Sequence, residues 1–118
     1  MKRLTTRALR SSAVLLAALT LTSGPVNAQA PSPYDTTYRV DRDTPVYSNM
    51  ATSSAVLATI PRGTSGIVLR WCRPEIPFAD WQFGGRRTQR AILNERWCEI
   101  SAGGRVGNVE GRALSVSR

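Results

Sequence analysis

Histidine is absent from this 118-residue sequence, and its single lysine is Lys2. Without histidine, neither a Ser-His-Asp triad nor a Cys-His pair has its general base. A Ser-Lys dyad and a Schiff-base lysine are also excluded once an N-terminal export signal is removed. Two-carboxylate glycoside chemistry stays open because Asp and Glu are present, but so short a chain leaves little room for a cleft that excludes water. We therefore expect no enzymatic activity and no cofactor.

Cysteine is equally scarce, and Cys72 and Cys98 are the only two. A structural zinc site built on them would need two carboxylates as further ligands, which is rare, so we expect no metal. Two free thiols are the remaining alternative. An even cysteine count in a small exported domain favours a disulfide, and we predict that these two residues form one.

Long hydrophobic runs are lacking as well, and the one apolar stretch belongs to a predicted signal peptide over residues 1–28. Its apolar core at 13–21 is too short to span a bilayer. Small residues at Val26 and Ala28 predict cleavage after Ala28. Cleavage after Ala30 is a second candidate, and it would leave Pro31 directly behind the cut. A membrane anchor is the alternative to a signal peptide. The basic residues ahead of the apolar core are Lys2, Arg3, Arg7 and Arg10.

The basic character of the chain is partly that of its export signal. The formal net charge is +8, and residues 1–28 hold four positive charges and no acids, so the charge falls to +4 for the remainder. A charge this modest is weak support for nucleic-acid binding. We expect no nucleic-acid partner and, after signal cleavage, no membrane span. The expected location is periplasmic or secreted.

Beyond the signal, the chain divides into a short leader and one domain. Two prolines and small polar residues predict a flexible leader over 29–37. The domain covers 38–118 and can build only a modest core, which a covalent crosslink would support. Its composition is typical of β-structure. Strands are predicted at 37–40, 44–47, 55–60, 66–72, 97–101 and 105–109, with a short last strand after a tight turn at 111–114.

Turn residues and alternation add detail to this prediction. Gly103-Gly104 is typical of a hairpin turn, and 88–95 is predicted to form two helical turns with Thr88 as the N-cap. Because side chains alternate between the two faces of a strand, Cys98 turned toward the core leaves Trp97 near the surface. The same alternation puts Trp71 on the apolar face of its strand, so Trp71 is predicted to belong to the core.

Several short motifs recur in the order seen in a known family. They are Pro-Val-Tyr-Ser at 45–48, Val-Leu-Ala-Thr-Ile-Pro-Arg-Gly-Thr at 56–64, Gly-Ile-Val-Leu at 66–69, Trp-Cys-Glu-Ile at 97–100, Gly-Gly-Arg-Val-Gly-Asn-Val at 103–109 and Gly-Arg-Ala-Leu at 111–114. Together they resemble a bacterial SH3-like domain over roughly 38–116.

The resemblance implies a small five-stranded antiparallel SH3-like barrel, all-β, that acts as a noncatalytic binding module. Exported members are commonly associated with the cell envelope, often with peptidoglycan or its peptides. Two departures concern the binding groove. Asn108 stands where the family has tryptophan, and the loop at 45–51 lacks the family's arginine and Gly-Pro. The insertion at 73–97 resembles that of a subgroup of small exported proteins.

The segment between the cysteines is the candidate binding site. Residues 70–96 hold six arginines and three acids, so they carry +3 of the +4 that remains after signal removal. Arginine forks suit carboxylate or phosphate, and aromatic faces suit sugars or peptides. In the alternative interpretation the aromatics fold back as a satellite core and the arginines only solvate the loop. The candidate ligand-binding residues are Tyr47, Trp81, Phe83, Arg86, Arg87 and Trp97.

Three functional hypotheses follow. The first is an envelope binding module that recognises peptidoglycan or an envelope protein. The second is a small secreted inhibitor or protein-interaction factor that acts through the 73–97 loop. Nucleic-acid binding through the arginine-aromatic loop is the third and the weakest, because export removes most contact with nucleic acid.

Overall fold

The computed structural model describes residues 30–117, so the predicted signal peptide and its cleavage site at Ala28 lie outside the described residues. Within that range most elements are strands, two α-helices fill the insertion, and a single 3-10 turn precedes the last strand. In chain order the elements are β1 Thr37–Val40, β2 Thr44–Tyr47, β3 Val56–Ile60, β4 Ile67–Arg73, α1 Phe78–Phe83, α2 Gly85–Asn94, β5 Trp97–Ala102, β6 Arg105–Glu110, the 3-10 turn Gly111–Ala113, and β7 Leu114–Val116.

The strands form one antiparallel sheet that curls into a half-barrel, in the order β3-β2-β6-β5-β4-β1-β7. The prediction of a mostly β protein is confirmed. The described residues form seven strands, as the strand pattern predicted and two more than the resemblance implied, and the expected all-β fold carries a helical insertion. The predicted hairpin at Gly103-Gly104 joins β5 to β6, and both glycines have positive φ, as a two-residue hairpin turn requires.

The predicted disulfide between Cys72 and Cys98 is confirmed. The two residues lie directly opposite each other in the β4–β5 ladder, with 4.0 Å between their Cα atoms. Both side chains are buried in the core. The bond therefore joins two central strands and closes the base of the 73–97 insertion.

A β-bulge in β4 overturns the prediction for Trp71. Leu69 lies opposite Ile100 and Trp71 lies opposite Glu99, so Arg70 is an extra residue without a partner on β5. Two consecutive side chains then point outward before Cys72 returns to the core. Strict alternation does not survive a bulge. As a result Trp71 is 39% exposed and is not a core residue.

The insertion folds as a hairpin of two helices, α1 and α2. Gly85, with φ of +78°, allows the chain to reverse between them. The helix predicted over 88–95 is present but begins earlier, so Thr88 lies inside α2 and the prediction that it is the N-cap is wrong. The buried Gln89 side chain donates from Nε2 to the Trp81 carbonyl oxygen at 3.1 Å, which ties the two helices together.

The helical hairpin shares one core with the half-barrel. Trp81, Ile92 and Leu93 belong to the same buried cluster as the inward residues of the strands. Close approach is enforced at Gly111, where an added Cβ would lie 2.3 Å from the Leu93 carbonyl oxygen. The Arg96 guanidinium also holds the ends of the insertion together by donating to carbonyl oxygens of residues 74, 75 and 92. The buried side chains of the insertion thus belong to the main core and do not form a separate satellite core.

Residues 30–36 contact the domain, although they were expected to have little to pack. Pro33 is fully buried and accepts a 2.7 Å hydrogen bond from the Tyr38 hydroxyl. The Trp81 indole Nε1 donates to the Pro31 carbonyl oxygen at 3.2 Å. Contacts with the domain therefore begin ahead of the predicted boundary at residue 38. Among residues 30–117, neither helix has the length and apolar character needed to cross a membrane.

Loss of the disulfide is expected to destabilise the fold strongly. Constraining a loop of about 25 residues in the unfolded chain contributes on the order of 3 kcal/mol to the free energy of unfolding. At about 4–8 °C per kcal/mol for a domain of this size, the melting temperature should fall by more than about 10 °C. Calorimetry with and without reductant measures the shift. A variant with Cys72→Ser and Cys98→Ser, which reductant cannot alter further, is the control. An unchanged melting temperature in reductant would contradict the expectation.

Alkaline pH is expected to destabilise the fold through Tyr38. Burial raises the pKa of this phenol, and Tyr34 adds to the rise. Because the unfolded phenol ionises near pH 10 while the buried one stays protonated, stability is intact below about pH 10 and falls as the pH rises further. Denaturant unfolding from pH 8 to 11 should show a shallower decline for Tyr38→Phe, despite its lower stability at pH 8. Equal slopes for the wild type and Tyr38→Phe would rule out Tyr38 as the cause.

Candidate functional site

An aromatic and polar row crosses four neighbouring strands on the convex face of the sheet. Trp71 on β4 lies opposite Glu99 on β5, Glu99 lies opposite Asn108 on β6, and Asn108 lies opposite Tyr47 on β2. We call these four residues the outer row. Their strand neighbours, such as Cys98, are buried on the concave side, so alternation turns the outer row away from the core.

Glu99 organises one end of the outer row. Its Oε1 accepts a 2.9 Å hydrogen bond from Arg70 Nε and a 3.1 Å bond from Trp71 Nε1. The Arg73 guanidinium carbon lies 5.2 Å from the centroid of the Trp71 ring, within range of a cation–π interaction. The indole of Trp71 is thus held in place at both its polar edge and one of its faces, although it is partly exposed.

Asn108 and Tyr47 form the other end of the outer row, and Trp97 packs beside them. The rings of Tyr47 and Trp97 meet edge to face, with centroids 5.5 Å apart and planes at 75°. Asn108 Nδ2 donates to the Tyr47 carbonyl oxygen at 3.2 Å. The side chains of Tyr47, Trp97 and Asn108 are all half-buried. The surface therefore combines flat aromatic rings with a carboxylate, an amide and guanidinium groups, which is a combination suited to sugar rings or short peptides.

Five of the six predicted ligand-binding residues lie in two separate places, and Arg87 belongs to neither. Tyr47 and Trp97 meet beside the outer row. Trp81, Phe83 and Arg86 line a cleft of about 340 Å³ between the helices and residues 30–36, which Tyr47 and Trp97 do not line. Arg87 is exposed on α2.

Each interpretation of the insertion, as a binding loop or as a segment packed into a core, holds for some of its aromatic residues. Trp81 is only 1% exposed and packs its ring 6.5 Å from that of Tyr38, so it serves the core. Phe83 is 70% exposed, and Phe78 is 49% exposed. One aromatic thus folds back while two remain available to a partner.

Sequence reasoning missed Trp71 and Glu99 as site residues. The bulge that turns Trp71 outward is a property of strand pairing, so no local pattern revealed it. For Glu99 the sequence offered a weak signal, since this carboxylate follows Cys98 and lies two residues from Trp97, on the same face of the strand.

A second missed feature is an apolar cleft of about 570 Å³. It lies between β3 and the β5–β6 hairpin, with Leu57, Ile60 and Val106 in its walls and Arg105 at its margin. Leu57 and Val106 are both about half-exposed. The cleft can accept an apolar side chain, and segments distant in sequence build it. Within residues 30–117, no group of three or more acidic or cysteine side chains is placed to hold a metal ion.

Comparison of the chain with protein-family models, with curated proteins and with solved structures finds no match. The geometry of the site and the motifs in the sequence are therefore the features that indicate a function.

The two classes of tryptophan should respond differently to truncation. Trp81→Ala removes a fully buried side chain and should lower the free energy of unfolding by about 3–5 kcal/mol. Trp71→Ala removes a partly exposed ring and should cost about 1 kcal/mol or less. Urea unfolding measures both. Comparable losses for the two variants would mean that Trp71 has a core role that its exposure does not indicate.

Proposed function

We propose that the chain is an exported, noncatalytic SH3-like binding module of the cell envelope, and that its ligand is peptidoglycan or its peptides. The observation that carries the proposal is the outer row with Trp97 beside it. Exposed tryptophan is rare as a purely structural residue, and here Glu99 and Arg73 hold Trp71 in a fixed position at the surface. A preorganised aromatic surface loses little entropy when a ligand binds.

The departure at Asn108 is consistent with this proposal. The family resemblance expects tryptophan there, and the sequence alone suggests that the binding surface has lost an aromatic. In the sheet, Asn108 lies between Glu99 and Tyr47, with Trp97 on the same strand as Glu99 and Trp71 on the next strand. The missing ring is therefore compensated by two tryptophans on adjacent strands, and the amide adds a hydrogen-bonding group.

Export is supported by two independent features. The N-terminal pattern is typical of a signal peptide, and the buried disulfide is the type of crosslink that persists in oxidising compartments. Both features support a periplasmic or secreted location. Peptidoglycan is an abundant polymer in that setting, and its sugar rings and carboxylate-bearing peptides match aromatic faces and guanidinium groups in chemistry.

Cosedimentation with purified peptidoglycan tests the proposal. The double variant Trp71→Ala with Trp97→Ala should bind at least about tenfold more weakly, because aromatic anchors at the centre of a binding surface contribute the most to affinity. The matched control is Phe78→Ala with Phe83→Ala, which removes two exposed rings from the insertion and should bind as the wild type does. Equal binding by the wild type and the tryptophan variant, or no sedimentation of the wild type, would contradict the proposal.

A second candidate function is favoured by the two exposed phenylalanines. Phe78 and Phe83 lie on α1, on a hairpin that the disulfide and the shared core hold in place. Large exposed aromatics on a rigid element are typical of protein-binding surfaces. The same pair of variants separates the candidates, because a secreted inhibitor or interaction factor should lose stoichiometric binding to one protein in the phenylalanine variant and keep it in the tryptophan variant.

A further inference from the structure

Five arginines that are scattered along the sequence lie around two adjoining clefts between α2, β1 and β7. Arg39 and Arg42 come from β1 and the turn after it, Arg86 and Arg90 from α2, and Arg112 from the 3-10 turn. Arg39, Arg86 and Arg90 line one cleft, of about 240 Å³. Arg42, Arg90 and Arg112 line the other, of about 460 Å³. We call the pair the arginine cleft, and its two parts share Arg90 in their walls.

Carboxylates neutralise only part of this charge. Asp41 pairs with Arg39 at 3.3 Å and also accepts a 2.9 Å hydrogen bond from the Ser115 hydroxyl, so both of its oxygens are occupied. Glu110 pairs with Arg112 at 3.2 Å. The five arginines therefore exceed the two acids that pair with them by three charges. In the part of the chain that the structure describes, Arg86 takes part in none of the ion pairs.

Arg90 is the fixed element of the arginine cleft. Its guanidinium donates to Asn94 Oδ1 at 3.1 Å, to the Arg112 carbonyl oxygen at 3.1 Å and to the Leu114 carbonyl oxygen. These bonds use three of its five N–H groups and hold the planar fork in the shared wall. Burial lowers the pKa of Arg90, Asp41 opposes this effect and Arg42 adds to it, but arginine stays protonated at neutral pH.

We propose that the arginine cleft is a binding site, separate from the outer row, for a phosphate dianion that is either free or terminal on a larger molecule. Guanidinium groups bind phosphate oxygens bidentately, and several of them around one cleft match three oxygens at once. A dianion also neutralises a local charge of +3 better than a monoanion does. The exposed Arg39 and Arg86 flank the fixed fork of Arg90 and supply the adjustable contacts.

Titration followed by ¹H–¹⁵N NMR tests this proposal on the folded chain at constant ionic strength. Inorganic phosphate should cause saturable shifts at the amides of Ser115 and Val116 and at the side-chain Nε–H groups of the lining arginines. Acetate, a monoanion, should bind at least tenfold more weakly. A parallel titration with glycerol 3-phosphate distinguishes the sources, because comparable or tighter binding indicates a terminal phosphate on a larger molecule, whereas binding of inorganic phosphate alone indicates the free anion.

Variants that remove the same charge from different places distinguish a specific phosphate site from a general effect of positive charge. Arg39→Ala with Arg86→Ala should weaken phosphate binding at least tenfold, while Arg62→Ala with Arg105→Ala removes the same charge elsewhere and should change it less than twofold. Arg86→Gln alone, at an exposed residue, keeps the test valid if the double variant unfolds, and a threefold or greater loss is expected. Equal losses in both double variants, an unchanged affinity in Arg86→Gln, or shifts spread evenly over all arginines would overturn the proposal.

Discussion

The crosslink between β4 and β5 is the constraint on which the rest of the structure depends. Cys72 and Cys98 lie opposite each other in the middle of the sheet and inside the core, so the bond fixes the register of two central strands and the base of the insertion together. A small domain has few apolar residues with which to hold such an excursion in place. With its ends joined, the insertion packs as a helical hairpin on the core that also fills the half-barrel.

The packing of the helical hairpin places the side chains of the insertion in three different environments. Trp81 enters the core, where its indole also holds the segment preceding β1. Phe78 and Phe83 remain outside. Arg90 donates hydrogen bonds to carbonyl oxygens of the chain after β6. These bonds hold α2 against β1 and β7, and arginines from several elements therefore lie close together. The exposed phenylalanines of α1 and the arginine cleft are thus products of the same docking.

Local sequence predicted most of the fold. Six of the strands begin and end within about one residue of their predicted bounds, because alternation and glycine or proline turns act over a few neighbouring residues. The outward position of Trp97 was predictable for the same reason, and the crosslink was predictable from the even cysteine count. The candidate site was predicted less well. Trp97 and Tyr47 meet as a pair, whereas the roles of Trp71 and Glu99 depend on the bulge at Arg70, which only the pairing of β4 with β5 creates.

The sequence by itself determined the β character, the crosslink, the hairpin at Gly103-Gly104 and the lack of histidine chemistry, since each is set by residue type and short-range spacing. Tertiary structure alone decided which tryptophan is buried and where the arginines collect. Burial depends on how distant segments share one core, and charge density depends on which elements pack side by side. Neither quantity is a property of a stretch of chain taken alone.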